Sequence, residues 1–306
     1  MMAWNFERVA GPFEGATGGI AWDGKTIVFA AVMESRLMRY DPAGGGVEEI
    51  RRFTNRVNGL ALTPDGNLYG CQEGSRRIIE MNADGSAVPL GATLDGQRIN
   101  FPSDLAVDRK GRIWFTDPWH QLPSHGPQIF PNLPHASVLR LDRHRVTHDW
   151  IVERLTFDTE APRCVALSAD ERTLYVGEGD AASEGARQLR AYPIDETGRL
   201  GSPRLLHSFG WDHRGPQRGA EGLCLDADGN VIVCAGSSEA GPGPLIYIMS
   251  PAGRILETQA FPDDCPMRCA FGGKGLDELY VTSGTGHLWR IRQTGRAGLT
   301  TRKPGA

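Results

Sequence analysis

The sequence contains no apolar stretch of the roughly 20 residues that a membrane-spanning helix needs. Its N-terminus also lacks the basic segment and apolar core of a secretory signal. The 33 basic and 37 acidic residues give a net charge of −4, and the basic residues are scattered rather than clustered. That distribution argues against charge-driven binding to nucleic acid or to an anionic membrane. These absences predict a cytoplasmic protein, a monomer or small homo-oligomer, whose partner is a small molecule.

The six cysteines show neither a disulfide framework nor a zinc site. Without a secretory signal, and with most of them inside or next to predicted strands, they are expected to be free, buried thiols. Cys265 and Cys269 lack a second Cys or His pair at zinc-finger spacing. Three histidines, His120, His125 and His135, share one proline-broken segment, and their irregular spacing does not favour zinc.

No amphipathic helix of ordinary length emerges from the sequence. Instead, one unit recurs six times: a short apolar strand, an Asp/Gly turn and a second apolar strand. The six units begin at Ile20, Leu60, Leu105, Val165, Leu223 and Ala270. Repeats of about 40 to 50 residues with several strands each are typical of a β-propeller. The sequence therefore predicts an all-β fold, a six-bladed β-propeller, as a single domain over residues 1–306.

Further strands complete the predicted blades. Third strands alternate apolar and polar residues, as at 35–42 and 188–198, and a fourth strand is visible at 48–53. A lone strand at 4–9 precedes the first unit and is expected to pair with the last blade, which closes the ring. The tail 294–306 is basic and rich in small residues, and it is expected to be flexible.

Three connections are longer than a hairpin needs: 118–136, 178–188 and 209–219. Long loops without secondary structure are often functional. The first of them contains five prolines and three histidines. The proline and aromatic content of the first and third loops predicts a lid over one mouth of the ring.

The residues two positions before each repeat start form a set of their own. Inner strands of a propeller run side by side along the central channel, so equivalent positions meet around the axis. The set is Gly18, Asn58, Ser103, Arg163, Glu221 and Arg268. Five of these six residues are polar or charged, although the strands that follow them are apolar. Their convergence on a channel predicts a binding site.

Several stretches resemble the SMP-30/gluconolactonase/luciferin-regenerating enzyme family, which includes regucalcin. The matching stretches are WDGKTIVFA, SDLAVDRKGRIWFTDP (103–118), SADERTLYVGEGD (168–180), AEGLCLDADGN (220–230) and CAFGGKGLDELYVTS (269–283). The resemblance covers nearly all of residues 15–292. It implies a six-bladed propeller that holds one divalent cation on its axis and opens lactone rings.

The chain departs from the family at the positions that the resemblance assigns to the metal site. Gly18 stands where the family has a ligand Glu, Arg163 where it has Asn, and Glu221 where it has Asp. Ser103 and Arg268 replace two further asparagines. Arginine has only hydrogen-bond donors and keeps its charge, so it cannot ligate a cation. We therefore expect no Ca²⁺, no Zn²⁺ and no other cofactor, with Arg163 in place of the metal and Glu221 paired to it.

On this interpretation the protein hydrolyses a small lactone or related cyclic ester. Arg163 and Arg268 would polarise the carbonyl group and hold the developing oxyanion. Glu221 or Asp104 would activate water, with His120 as a further candidate base. A close arginine would lower the pKa of Glu221 and weaken it as a base. The substrate contacts expected from the sequence are Arg268, Ser103, Asn58, Trp119 and Trp211.

Two other functions remain open. One is a non-hydrolytic lyase, isomerase or cyclase that holds a carboxylate-bearing substrate between two arginines. The other is a binding propeller without catalysis, in which Arg163 and Glu221 form a structural ion pair inside the channel. A lactonase-type enzyme is the favoured interpretation, and apolar lid residues such as Trp119 and Phe130 predict a substrate less sugar-like than gluconolactone.

Overall fold

The computed structural model describes residues 3–119, 130–179, 185 and 187–299. Within them, one 3-10 turn (Glu73–Ser75) accompanies the strands. The strands are, in chain order, β1 (Asn5–Ala10), β2 (Thr17–Trp22), β3 (Ile27–Ala31), β4 (Arg36–Tyr40), β5 (Val47–Arg51), β6 (Val57–Leu62), β7 (Leu68–Gln72), β8 (Arg77–Met81), β9 (Ala87–Gly91), β10 (Thr93–Leu94), β11 (Gln97–Arg98), β12 (Leu105–Val107), β13 (Ile113–Asp117), β14 (Ser137–Arg143), β15 (Trp150–Arg154), β16 (Pro162–Leu167), β17 (Thr173–Glu178), β18 (Gln188–Pro193), β19 (Arg204–Ser208), β20 (Trp211–Asp212), β21 (Gly215–Pro216), β22 (Ala220–Leu225), β23 (Val231–Ser237), β24 (Ala240–Met249), β25 (Ile255–Ala260), β26 (Pro266–Gly272), β27 (Glu278–Ser283) and β28 (Leu288–Arg292).

Six four-stranded antiparallel sheets form the blades. In chain order they are β2–β5, β6–β9, β12–β15, β16–β19, β22–β25, and β26–β28 with β1. The innermost strands β2, β6, β12, β16, β22 and β26 each contact the next, and β26 contacts β2, so the ring is closed. This arrangement confirms the six-bladed β-propeller predicted from the repeats. We call the face where the innermost strands begin the upper face, and the face where they end the lower face.

Strand β1 closes the ring as predicted. It pairs antiparallel with β28, with Asn5 opposite Arg292 and Arg8 opposite Trp289. The first strand of the chain therefore becomes the outermost strand of the last blade, and it covers the edge that β28 would otherwise expose. No helix among the described residues has the length and apolarity to cross a membrane.

Two short hairpins interrupt the upper-face loops. β10 pairs with β11 ahead of blade 3, and β20 pairs with β21 ahead of blade 5. The second hairpin lies inside 209–219, which the sequence had suggested to be without secondary structure. A two-strand pairing this short leaves almost no periodic signal in the sequence.

The hydrophobic core lies between neighbouring blades. Phe29 of blade 1 packs with Tyr280 of blade 6, and Phe115 of blade 3 packs in one cluster with Ile78 of blade 2. These four side chains are fully buried. Alternation of residues along each strand places one set of side chains on each flank of a blade, so every blade is held from both sides. This packing fixes the positions from which the inner strands present their side chains.

The beginning of the C-terminal tail is attached to the lower face. Ala227 N donates to Ala297 O at 2.8 Å, and Gly298 N donates to Leu276 O at 2.7 Å. Arg296 Nη1 also lies 2.7 Å from Asp226 Oδ2. Residues 294–299 are thus bonded to blades 5 and 6 instead of being frayed, which differs from the expectation for the tail. Residues 300–306 lie outside the described part of the chain.

Replacing Gly59 of β6 by Ala should destabilise the ring. A Cβ atom there would approach Ser103 O at 2.6 Å and Asp104 Cα at 2.8 Å, so two inner strands would have to separate. We expect a loss of about 1–3 kcal/mol in the free energy of unfolding, measured by guanidinium denaturation. Gly46→Ala is the control, because a Cβ atom there meets no atom within 4 Å; equal effects of the two substitutions would contradict close packing of the inner strands.

Candidate active site

The inner strands present the six predicted residues at the upper end of the channel. In five blades a β-bulge interrupts the pairing of the first and second strands at this point. The interruptions fall between Thr17 and Ile20, Val57 and Leu60, Pro162 and Cys164, Ala220 and Gly222, and Pro266 and Cys269. Each interruption includes the predicted residue. A bulge bends the strand locally and re-aims a side chain, which gives these positions a geometry that the regular strand lacks.

Arg268 extends from blade 6 to the opposite side of the ring. Its Nη2 donates to Oγ and O of Ser103 at 2.9 and 3.2 Å, and to Arg163 O at 3.3 Å. Blades 3 and 4 carry those acceptors, and blade 3 lies across the ring from blade 6, so the side chain crosses the axis. Only 4% of Arg268 is exposed, and its Nε and Nη1 have no hydrogen-bond acceptor among the described residues. The sequence had assigned this axial place to Arg163.

Asp104 lies beside the Arg268 guanidinium. Asp104 Oδ1 is 3.6 Å from Arg268 Nε, and Asp104 Oδ2 accepts a hydrogen bond from Val165 N at 3.1 Å. Burial raises the pKa of Asp104 to about 6, against the opposing effect of the Arg268 charge. A carboxylate whose pKa lies near the working pH has the proton affinity that a general base needs.

Glu221 pairs with Arg218 instead of Arg163. Arg218 Nε donates to Glu221 Oε1 at 2.8 Å, and only 2% of Glu221 is exposed. This pair corrects the partner that the sequence suggested for Glu221. Burial alone would raise the pKa of Glu221, but Arg218, Arg163 and Arg268 outweigh it and lower that pKa. Glu221 is therefore held ionised, and it is a weaker base than Asp104.

Arg218 was missed by the sequence reasoning. It lies in the loop 209–219, three residues before Glu221. That spacing brings side chains together regularly on a helix, whereas in a loop the local turn decides whether they meet. A cation close in sequence to an acidic ring residue was the only available signal. Its significance depends on the turn that leads into β22, which the sequence does not specify.

Arg163, Asn58 and Gly18 complete the ring. Arg163 is half-buried, and its Nε donates to Gly179 O at 2.9 Å. Asn58 is half-buried and lies against Gly18. A Cβ atom on Gly18 would come within 2.8 Å of Asn58 O and 2.9 Å of Asn58 Oδ1. The glutamate ligand that the family resemblance implies at position 18 would thus require the Asn58 strand to move.

The two predicted tryptophans lie in upper-face loops. Trp119 Nε1 donates to Leu133 O at 3.0 Å, and the residue is 49% exposed. Trp211 is 66% exposed, and the Arg187 guanidinium lies 4.9 Å from the centre of its ring system. His120, the further candidate base, lies outside the described residues, and so does the rest of segment 120–129 in the predicted lid.

A buried polar network fixes the described ends of the first long loop. Asn100 Nδ2 donates to His135 O at 2.8 Å, Leu133 N donates to Asn100 Oδ1 at 2.8 Å, and Asn100 N donates to Asp117 Oδ2 at 2.8 Å. Burial raises the pKa of Asp117 to about 8. Arg76 adds a bond to Pro131 O at 3.1 Å. Asp117 thus binds backbone at a strand end, and Asn100 and Arg76 extend the network to the backbone of the loop.

The cysteines that follow the ring arginines are buried between blades, in agreement with the expectation of buried thiols. Cys164 is fully buried in the cluster shared with Ala220, and Cys269 is buried in a cluster with Cys234. All six thiols are free. Burial raises the pKa of Cys164 well above its usual value, which makes the thiol a poor nucleophile.

The side chains at the ring do not fit a divalent cation. Ca²⁺-like ions need six to eight oxygen ligands, with carboxylates among them. Here Glu221 is bonded to Arg218, Asp104 lies beside Arg268, and the Arg268 guanidinium crosses the axis. In the described parts of the chain, no three His, Cys, Asp or Glu side chains lie close enough together to hold a metal ion. A guanidinium and a cation in the same place would repel each other.

A cavity of about 1290 Å³ opens on the lower face, away from the ring. Turns of blades 1, 2 and 6 line it, with Lys25, Lys274 and Glu278 among its residues. None of the six ring residues takes part in its lining. The polar side chains that converge from five of the six blades therefore favour the upper end of the channel as the active site.

The fold and the ring define a six-bladed propeller with a polar site where its inner strands begin. The family described as SMP-30/Gluconolactonase/LRE-like region matches residues 16–285, and the chain belongs to that family. The gluconolactonase of Zymomonas mobilis is 30% identical over 241 residues, which cover 77% of this chain but only 62% of that protein. Regucalcin of Xenopus laevis is 31% identical, with 91% of this chain and 87% of that protein covered.

A solved structure is also similar to this chain. It is a gluconolactonase from Xanthomonas campestris, 27% identical, with a TM-score of 0.77 and coverage of 94% of this chain and 89% of that one. The predicted family relationship is therefore confirmed.

The substitution Asp104→Asn should change how stability depends on pH. The pKa of Asp104 is about 6 in the folded protein and has a usual value of 3.8, so the folded state holds this proton more tightly than the unfolded chain. Tighter proton binding stabilises the folded state at low pH. The wild-type free energy of unfolding should therefore lose this stabilisation as the pH rises from about 4 to about 6. Guanidinium denaturation across that range should show no such loss in Asp104→Asn.

The control is Asp195→Asn in a lower-face turn, where a hydrogen bond from Thr197 helps to lower the pKa of Asp195. That variant should keep the wild-type loss between pH 4 and 6. The same pH dependence in wild type and Asp104→Asn would contradict the raised pKa.

Proposed function

We propose that this protein hydrolyses a small lactone or related cyclic ester at the upper end of the channel, without a metal ion. The observation that carries the proposal is the buried Arg268 guanidinium, which crosses the axis beside Asp104 with Nη1 and Nε lacking acceptors among the described residues. Relatives named gluconolactonase support a lactone-hydrolysing enzyme. The guanidinium supplies positive charge where a lactone carbonyl oxygen would become negative.

In the proposed reaction, Asp104 removes a proton from water as the water oxygen attacks the carbonyl carbon. The carbonyl oxygen becomes an oxyanion that accepts hydrogen bonds from Arg268. Collapse of this intermediate breaks the ring C–O bond, and the leaving oxygen takes the proton back from Asp104. The product is the open-chain hydroxy acid, so atoms and charge balance.

The remaining ring residues are assigned supporting roles. Ser103 accepts a hydrogen bond from Arg268 Nη2 at 2.9 Å and so positions the guanidinium. Glu221, held ionised by Arg218, is suited to accept hydrogen bonds from a substrate or from the attacking water. Arg163 adds positive charge at the rim of the site, and Asn58 offers an amide to the substrate.

Hydrolysis should survive removal of metal ions. Dialysis of the protein against EDTA, followed by assay with D-glucono-1,5-lactone and dihydrocoumarin, should leave kcat/KM unchanged, since Arg268 supplies the charge. In ¹⁸O-labelled water the hydroxy acid should acquire one label.

Activity that is lost on chelation and restored by Ca²⁺, Zn²⁺ or Mn²⁺ would contradict the metal-free proposal. An unlabelled product would instead identify a lyase, isomerase or cyclase. Stoichiometric ligand binding without turnover would identify a binding propeller.

Substitution of the proposed base and of the oxyanion donor should lower kcat. Asp104→Asn should cost roughly 10²- to 10⁴-fold, because general-base catalysis has that magnitude. Arg268→Lys keeps the charge but loses the fork of donors, and it should cost roughly 10²- to 10³-fold. Wild-type kcat/KM should rise with pH through about 6, where Asp104 loses its proton.

Asp195→Asn, in a turn on the lower face, is the control and should retain the wild-type rate and pH profile. Thermal unfolding of every variant separates lost activity from lost structure. Wild-type turnover by Asp104→Asn would exclude Asp104 as the base.

A further inference from the structure

Exposed aromatic rings occur on only one face of the described structure. Of the large apolar side chains that are substantially exposed, five are aromatic: Phe53, Trp119, Phe130, Phe157 and Trp211. All five lie in connections that follow a second strand or precede an innermost strand, which places them on the upper face. Among the described residues, Val146 is the only large apolar side chain that is substantially exposed in a lower-face turn. Exposed aromatic side chains that are confined to the face carrying the ring residues are candidates for contact with a ligand.

Three of these rings are held by an arginine. The guanidinium of Arg154 lies 4.4 Å from the centre of the Phe157 ring, and that of Arg187 lies 4.9 Å from Trp211. The guanidinium of Arg98 lies 5.0 Å from the centre of the Phe130 ring. A guanidinium over one face of a ring fixes its orientation. Because Phe157 is still 75% exposed and Trp211 66% exposed, a large part of each ring is available to a ligand.

These pairs lie close in the chain to the ring residues. Phe157 precedes Arg163 by six residues, in the connection that leads into β16. Trp211 precedes Glu221 in the connection that leads into β22, and its partner Arg187 contacts that connection, since a Cβ atom on Gly219 would lie 3.3 Å from Arg187 Cβ. The aromatic residues come from upper-face connections of blades 1, 3 and 4, so they lie on the face that carries the ring residues and are spread over several loops. That arrangement suits a ligand that enters the channel better than a flat macromolecular partner.

We propose that these five residues form an aromatic rim that binds the apolar part of the substrate, so that the enzyme prefers lactones with an aromatic or alkyl group over polyhydroxylated sugar lactones. The proposal rests on the lactone hydrolysis proposed above. A polyhydroxylated sugar ring offers an aromatic face only its C–H groups and keeps hydrated hydroxyl groups beside them, whereas an apolar ring removes more apolar surface from water on the same contact. Each arginine holds one face of an aromatic ring in place and leaves the opposite, exposed face of that ring apolar.

The test is the ratio of kcat/KM for dihydrocoumarin to kcat/KM for D-glucono-1,5-lactone. Wild type should favour dihydrocoumarin. Trp211→Ala and Phe157→Ala should each lower the ratio about three- to tenfold, chiefly through KM for dihydrocoumarin, as loss of one aromatic contact implies. Leu205→Ala is the matched control: Leu205 is 53% exposed but lies on the outermost strand of blade 4, and its loss should leave the ratio unchanged.

The possible outcomes separate the two proposals. Hydrolysis of both lactones with preference for the sugar, or an unchanged ratio in both aromatic variants, would overturn the aromatic rim and leave lactone hydrolysis standing. If neither lactone is hydrolysed, the proposed function fails and the rim proposal fails with it. A changed oligomeric mass in the aromatic variants, by light scattering, with an unchanged ratio, would assign the rim to contact between copies of the chain.

Discussion

The guanidinium of Arg268 joins opposite sides of the propeller, and the organisation of the site depends on that contact. It starts in blade 6, bonds to Ser103 in blade 3 and to the Arg163 carbonyl in blade 4, and lies beside Asp104. A buried cation needs a nearby anion and hydrogen-bond acceptors, and the inner strands supply both. The same contact places a positive charge on the axis, where the proposed function assigns it to the developing oxyanion.

The two acidic residues of the site are set apart by their surroundings. Asp104 is buried beside a single guanidinium and has a pKa of about 6, whereas Glu221 lies near three arginines that lower its pKa. Such a separation of pKa values assigns different tasks to chemically similar groups. Asp104 is suited to exchange a proton, and Glu221 to remain an anion throughout. This division follows from position in the ring, since both residues stand at the entry to an inner strand.

The two faces of the molecule differ because the connections between their strands differ in length and composition. Most connections of the lower face are short turns with Asp or Gly, and residues 294–299 are bonded to two of them. The upper face carries the long connections, the bulges and the exposed aromatic residues. Rigid packing between blades allows the upper loops to vary without loss of the ring. The family relationship accordingly accounts for the frame, on which the upper-face residues build the candidate site.

The sequence alone determined the fold, because six repeats of paired apolar strands can bury their surfaces only by packing side by side in a ring. It also determined which residue of each repeat faces the axis, since every copy has the same register. Only the tertiary structure decided which of those side chains meet. Arg268 occupies the axis instead of Arg163, and Glu221 pairs with Arg218. Partners across a ring are set by bulges, side-chain length and loop geometry, and none of these leaves a period in the sequence.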